Sequence, residues 1–313
     1  MKLSKFVRKC LTDAQKEQIR SALKKYGCDA GRSVGLIGVL KENKKSEREK
    51  CAPFHITKID KTDAAPHGIY AAGSLFTVYG TKLYVDGAEK GTVTDTDKVF
   101  CALGERVVIF PDKIIYANGA LTPLESRWAG GSLTFKDGTY AGEDAQANTI
   151  YAAGVDWADY FKVGDAVAIS GCTAHTENNR TPIIREIDGA NLRFYENVFA
   201  LGEGQNSYTE TGTLKIERTV PDLDMLFSSG NRIWGYKDNT ICCCKLGDPF
   251  NWNVFDGLST DAWSVETGDP GKFTGCVSYL GYPLFFKKGK IFKVYGSVPK
   301  DFQLIEYHDG GRK

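Results

Sequence analysis

Four stretches of the chain repeat one pattern: an apolar run, a glycine, an alternating strand, a tight turn and a second strand. Aligned on the glycine they read GSLFTVYGTKLYVDG from Gly73, GERVVIFPDKIIYANG from Gly104, GNRIWGYKDNTICCCK from Gly230 and GYPLFFKKGKIFKVYG from Gly281. Three positions on stand Phe76, Val107, Ile233 and Leu284, and five positions on stand Val78, Ile109, Gly235 and Phe286. Seven positions on, Gly80, Pro111, Lys237 and Lys288 suit a turn, and eleven positions on, Tyr84, Ile115, Ile241 and Phe292 resume the apolar pattern. A further apolar run precedes each glycine, at 69–72, 99–102, 225–227 and 276–279. Each unit is therefore a meander of three short strands whose apolar face cannot be buried by the unit alone.

Such units become stable when neighbours cover them, and radial stacking about an axis is the common solution, the β-propeller. A plain antiparallel sheet with coincidental spacing is the competing reading. The marker glycines lie 31, 126 and 51 residues apart. A four-stranded blade takes about 40–45 residues, so the second gap implies an inserted domain. That insert, residues 131–219, alternates Val163, Val167 and Ile169, then Ile183 and Ile187 with Leu192 and Phe194, then Leu214 and Ile216. These are half-buried strands of a small β-barrel, with a hairpin turn at Asp188-Gly189 and a polar loop, 173–180, at its tip. The 34 glycines, 15 tyrosines and 17 phenylalanines among 313 residues fit many tight turns between aromatic-rich strands.

Residues 1–50 differ in kind. They hold 14 Lys or Arg against 6 Asp or Glu, a balance of +8, while the rest of the chain carries −7. A short helix is predicted over 12–26, capped by Thr12 with Gln15 as box partner and striped by Ile19, Leu23 and Tyr26. The run KENKKSEREK that follows reads as a linker. The expected organisation is thus 1–50 basic helix and linker, 51–130 first blades, 131–219 inserted barrel and 220–313 further blades. In class terms it is mostly β, a partial β-propeller of antiparallel meanders. No run of 18 apolar residues and no secretory leader are read, so no membrane span is expected. The nine cysteines include the triplet Cys242, Cys243 and Cys244, but no metal spacing. Neighbours on a strand point to opposite faces, so the triplet cannot converge on one ion. The cysteines read as reduced, small apolar residues.

Chemistry is sparse. None of His55, His67, His175 and His308 sits at motif spacing from a Cys, Ser or acid, and His175 beside Glu177 is the best single candidate. There is no GxSxG, phosphate loop, HExxH or calcium loop. Glu143 with Asp144, and Asp222 with Asp224, are the carboxylate pairs to weigh for glycoside hydrolysis. Neither cofactor nor enzymatic role is expected. The aromatic group Phe250, Trp252, Phe255 and Trp263, with Tyr282 beyond it, is the candidate partner or glycan surface. It falls in a connection between the third and fourth units. Packing in the seam between blades is the preferred reading of the first four.

The phrase KLGDPFNWNVFDGLSTDAW, residues 245–263, followed by FFKKGKIFKVYG, 285–296, resembles the β-propeller structural proteins of tailed bacteriophages, of the tail-nozzle and head-stabilisation type. The resemblance covers about residues 66–306 and carries no catalytic residues. It implies a virion component made in the host cytoplasm and assembled at the neck or tail as a homo-oligomeric ring. Portal, tail or adaptor subunits are the implied partners, with non-specific contact to packaged DNA. Two features depart from that pattern: the basic helical segment, and only four units, so that further blades would come from a longer chain or a partner. The alternatives are a carbohydrate- or receptor-binding propeller, which needs Trp252, Trp263 and Tyr282 exposed around one cleft, and a propeller glycosidase, which needs converging carboxylates.

Overall fold

Hydrophobic alternation with glycine turns gives strand after strand, and a computed structural model shows how they pair. It describes residues 64–139, 144–195, 198–253 and 258–308. The chain divides into two compact units, Met1–Lys61 and Thr62–Lys313, and the described residues belong to the second. The expected N-terminal helix, Glu143 and Phe255 lie outside the described residues. Among the described residues strand makes up 54% and no helix reaches 7 residues, so there the sheets are covered by other sheets.

Four sheets are four-stranded antiparallel meanders with strands in chain order. The first holds β1 (Pro66–Ala72), β2 (Ser74–Tyr79), β3 (Lys82–Val85) and β4 (Ala88–Thr92); the second β5 (Val99–Leu103), β6 (Arg106–Phe110), β7 (Ile114–Ala117) and β8 (Ala120–Pro123). After an inserted sheet, β9 (Ser126–Gly138), β10 (Gln146–Tyr151), β11 (Ala168–Ser170), β12 (Ile184–Asp188), β13 (Asn191–Phe194) and β14 (Ser207–Arg218), the meanders resume. The third holds β15 (Met225–Ser229), β16 (Arg232–Lys237), β17 (Thr240–Cys243) and β18 (Trp263–Glu266), and the fourth β19 (Gly275–Tyr279), β20 (Tyr282–Lys287), β21 (Lys290–Tyr295) and β22 (Gln303–His308). Each meander thus has a fourth strand beyond the three expected. They lie at the sheet edges, and the first two, AEKGT and ALTP, are short and largely exposed, which leaves little hydrophobic pattern to read.

The meanders stack in sequence through three apolar seams. Phe76, Val78, Leu83 and Val85 of the first sheet meet Val107 and Ile109 of the second. Val108, Phe110 and Ile115 on the other side of the second sheet meet Leu226, Ile233 and Cys242 of the third. Trp234, Tyr236, Ile241 and Cys243 of the third meet Phe285, Phe292 and Val294 of the fourth. First strands lie beside first strands, β1 by β5, β5 by β15 and β15 by β19. The cysteine triplet alternates as a strand requires: Cys242 and Cys244 enter one seam and Cys243 the next.

The common glycine marks the turn without marking the register. Gly104 and Gly230 are the first of two turn residues, since Leu103 pairs Arg106 and Ser229 pairs Arg232. Gly281 is the second, because Tyr279 pairs Tyr282 across Leu280-Gly281. Gly73 stands alone between the paired Ala72 and Ser74. Counted instead from the first residue of the second strand (Ser74, Arg106, Arg232, Tyr282), one rule holds. The third and fifth residues face the following sheet: Phe76 and Val78, Val108 and Phe110, Trp234 and Tyr236. The even positions face the preceding one, as Val107 and Ile109 do.

The insert is one six-stranded sheet in the order β11-β14-β9-β10-β13-β12, curled into a half-barrel rather than a closed small barrel, and it begins at Ser126. Long β9 and β14 pair along most of their length, with a register shift between Thr211 and Leu214. Inside are Trp157, Phe161, Leu133, Phe135, Ile150, Phe194 and Leu214, each almost wholly buried. Val163, read as a strand residue, instead lies 61% exposed outside the strands. The 184–194 hairpin turns at Gly189-Ala190, with Gly189 at φ 52°.

Candidate functional site

The phrase around Gly247-Asp248-Pro249 folds into a joint between the third meander and the half-barrel. Asp248 accepts from the Phe250 amide (3.0 Å) and from the Asn251 side-chain amide (2.7 Å), closing a tight loop. Asn251, 4% exposed, then reaches across: its Oδ1 accepts from the Ala166 amide at 2.9 Å and its Nδ2 donates to Asp165 at 3.2 Å. Asp165 is ion-paired with Arg218 at the end of β14, both buried. Arg218 also donates to the Leu124 carbonyl at 3.2 Å and lies over the Phe250 ring at 5.1 Å. The Trp252 indole donates to the Pro249 carbonyl at 2.8 Å and fills the seam between second and third sheets.

The five predicted aromatics therefore do not share one surface. Trp252 is buried, and Phe250 is half-buried against the same seam. Trp263 lies on β18 rather than in a connection, half-buried 6.0 Å from Trp234 and 5.5 Å from Phe302. Phe255 is outside the described residues. Tyr282 is exposed on the far side of the fourth sheet, 3.6 Å from the Lys293 ammonium and 5.1 Å from Tyr295. The cleft that a glycan reading requires of Trp252, Trp263 and Tyr282 is not formed.

Tyr282 belongs instead to a broad apolar sheet face that sequence reasoning missed. In the fourth sheet the third and fifth positions are Leu284 and Phe286, and on this side nothing in the described residues covers them. Cross-strand pairing places Val277 beside Leu284, Ile291 beside Phe286 and Tyr307, and Lys293 beside Ile305. Val277, Ile291, Ile305 and Tyr307 are each 39–44% exposed. At its rim Leu280 is 79% exposed with φ 50°, a conformation that favours Gly or Asn. The signal was present in the alternation of FFKKGKIFKVY, but both faces of these strands are apolar, so alternation does not say which is covered. At the other end of the stack no described residue covers the preceding side of the first sheet, where Ile69 is 70% and Leu75 37% exposed.

The titratable groups are engaged in holding loops. Asp222 and Asp224 take separate lysines, Lys113 at 2.8 Å and Lys237 at 2.6 Å. Glu210, almost wholly buried, accepts from the Thr173 hydroxyl at 3.1 Å and from backbone amides of 173–175, which pins the predicted tip loop. His175 stacks edge-on against Tyr208 in that loop, 4.6 Å between ring centres. Among the described residues no group of three or more His, Cys, Asp or Glu is placed to hold a metal, and no helix is long and apolar enough to cross a membrane. Burial pushes the thiols of Cys101, Cys242 and Cys243 up to about 12. A thiolate-selective reagent at mildly alkaline pH is expected to leave these three unlabelled in the native protein and to label them on unfolding. Native labelling at the rate of a free cysteine would contradict this.

His67 sits between two carboxylates. Its ring nitrogens lie 3.0 Å from Asp97 and 2.7 Å from Asp95, in the segment joining first and second sheets. Hydrogen bonds to Asp97, then Asp95, raise its pKa above 6.5. The charged form is thus favoured on folding. The stabilisation is complete below pH 6.5 and fades as pH rises through the higher folded value. A ring-proton NMR titration is expected to show His67 titrating above 6.5, and Asp97→Asn to bring it down. An unchanged midpoint in that variant would show the contact to be inconsequential.

No protein-family model matches the chain, and no curated protein matches it closely enough to serve as a relative.

Proposed function

We propose that the four meanders are consecutive blades of a β-propeller arc, and that the chain is a structural component of a tailed-phage virion, placed at the neck or tail and acting by subunit assembly. The single observation that carries the reading is the constant stacking rule. Each sheet offers the same register positions to its successor, with first strands side by side, and the rule runs out at two apolar faces. A structure of this kind is built to be extended by another sheet. The phage assignment draws on the resemblance of the 245–263 phrase, in which Asn251 and Asn253 bond to Asp165 and Ala166 of the half-barrel.

In a propeller the first strands line the axis. Here β1, β5, β15 and β19 carry no Lys, Arg, Asp or Glu, and their one histidine, His67 at the start of β1, is engaged by Asp95 and Asp97. A passage lined by them would offer DNA a wall poor in charge, sealing or guiding it by shape more than by phosphate contacts. The test is light scattering of the full chain with portal, adaptor and tail subunits in turn, followed by low-resolution imaging of any complex. A defined complex with one of them is expected; a chain that binds none of them overturns the virion assignment.

A further inference from the structure

We propose that the bare face of the fourth sheet is the docking site for the bare face of the first sheet of a second copy, so that copies associate head to tail. The inference rests on the propeller-arc reading but not on the virion assignment. The stacking rule carries it. Val277, Leu284 and Ile291 stand where the third sheet has Phe227, Trp234 and Ile241, which the fourth sheet buries. The apolar character of a covered face is thus retained where no cover is present.

What fits such a face is a surface of the preceding type, and among the described residues one is open. On the first sheet Ile69, Ala71 and Leu75 hold the positions at which the second sheet has Phe100, Ala102 and Val107, all packed against the first. The two open faces lie at opposite ends of one stack, separated by the second and third sheets, and no apolar cluster or hydrogen bond joins them among the described residues. A second copy supplies the missing partner without any new kind of contact. Lys293 is held over the rings of Tyr282 and Tyr295, at 3.6 and 4.1 Å. On the first sheet Lys82 is neutralised by Glu89 at 2.8 Å. Because the two faces differ, the association is heterologous and either closes into a ring or continues as a filament.

The test uses one block on each face of the full-length chain, Ile291→Asp on the fourth sheet and Ile69→Asp on the first. Both side chains are well exposed, so folding is expected to be retained. Tyr307→Asp and Leu75→Asp replace them if circular dichroism shows otherwise. In sedimentation velocity the wild-type chain is expected to assemble with concentration, and each variant alone to remain monomeric. An equimolar mixture of the two is expected to give a dimer and nothing larger, since one intact pair of faces survives. A wild-type chain that stays monomeric, variants that assemble like wild type, or a mixture that stays monomeric would each overturn the proposal. Head-to-tail assembly without binding to any portal or tail subunit would remove the virion assignment and leave this interface standing. Partner binding without self-assembly would do the reverse.

Discussion

Replacing Arg218 with leucine is expected to destabilise the protein by about 3–5 kcal/mol, because it leaves Asp165 charged and buried without its cation. Both groups are about 95% shielded from water, and a lone carboxylate there retains only the Asn251 amide and the Lys162 backbone amide, at 3.2 and 2.9 Å. The loss includes the bond to the Leu124 carbonyl and the guanidinium contact with Phe250. Denaturant unfolding of Arg218→Leu, Asp165→Leu and the double variant checks the cause. If the uncompensated charge dominates, the double variant is expected to be more stable than Arg218→Leu alone. Additive losses would place the energy in packing instead. The same variant is expected to loosen the half-barrel first, seen as protease cuts flanking residues 126–218 before the meanders are cut.

The second large effect is at Phe285. Its side chain is fully buried and meets Phe227 and Phe273, each 5.8 Å between ring centres, with Trp234 and Tyr236 at 6.5 Å. Phe285→Ala removes an aromatic volume that rigid neighbours cannot refill, and a cost of about 3–5 kcal/mol is expected in equilibrium unfolding. A loss below about 1 kcal/mol would mean that the third and fourth sheets do not pack as described. Leu284→Ala, one residue away on the bare face, is expected to cost far less in the isolated chain, which makes the pair an internal control for which face is covered.

The repeat was legible because glycine turns and alternating side chains are local properties. Its register was not, because a turn of one or two residues can place the same glycine at different points. Phe76 and Val107, equally spaced from their glycines, consequently point to opposite sides of their meanders. The first two fourth strands were hidden by their shortness and exposure. The stretch before Trp263 gave no hint that this residue returns to pair with Cys243. The joint made by Asn251 could not be read at all, since its partner Asp165 is 86 residues away and neither residue type is distinctive by itself. The aromatic group was recognisable as a cluster in sequence, yet alternation alone does not distinguish a ring inside a seam from one on a bare face.

The second and third meanders are each covered on both sides by other meanders, and strand β17 of the third sends successive cysteines into both of its seams. Amide protons there can reach solvent only when two interfaces open together, whereas the first and fourth meanders each keep one wetted side. Exchange with deuterium should accordingly slow from the ends of the stack towards its interior, so that the molecule loosens outward-in and keeps its middle closed longest.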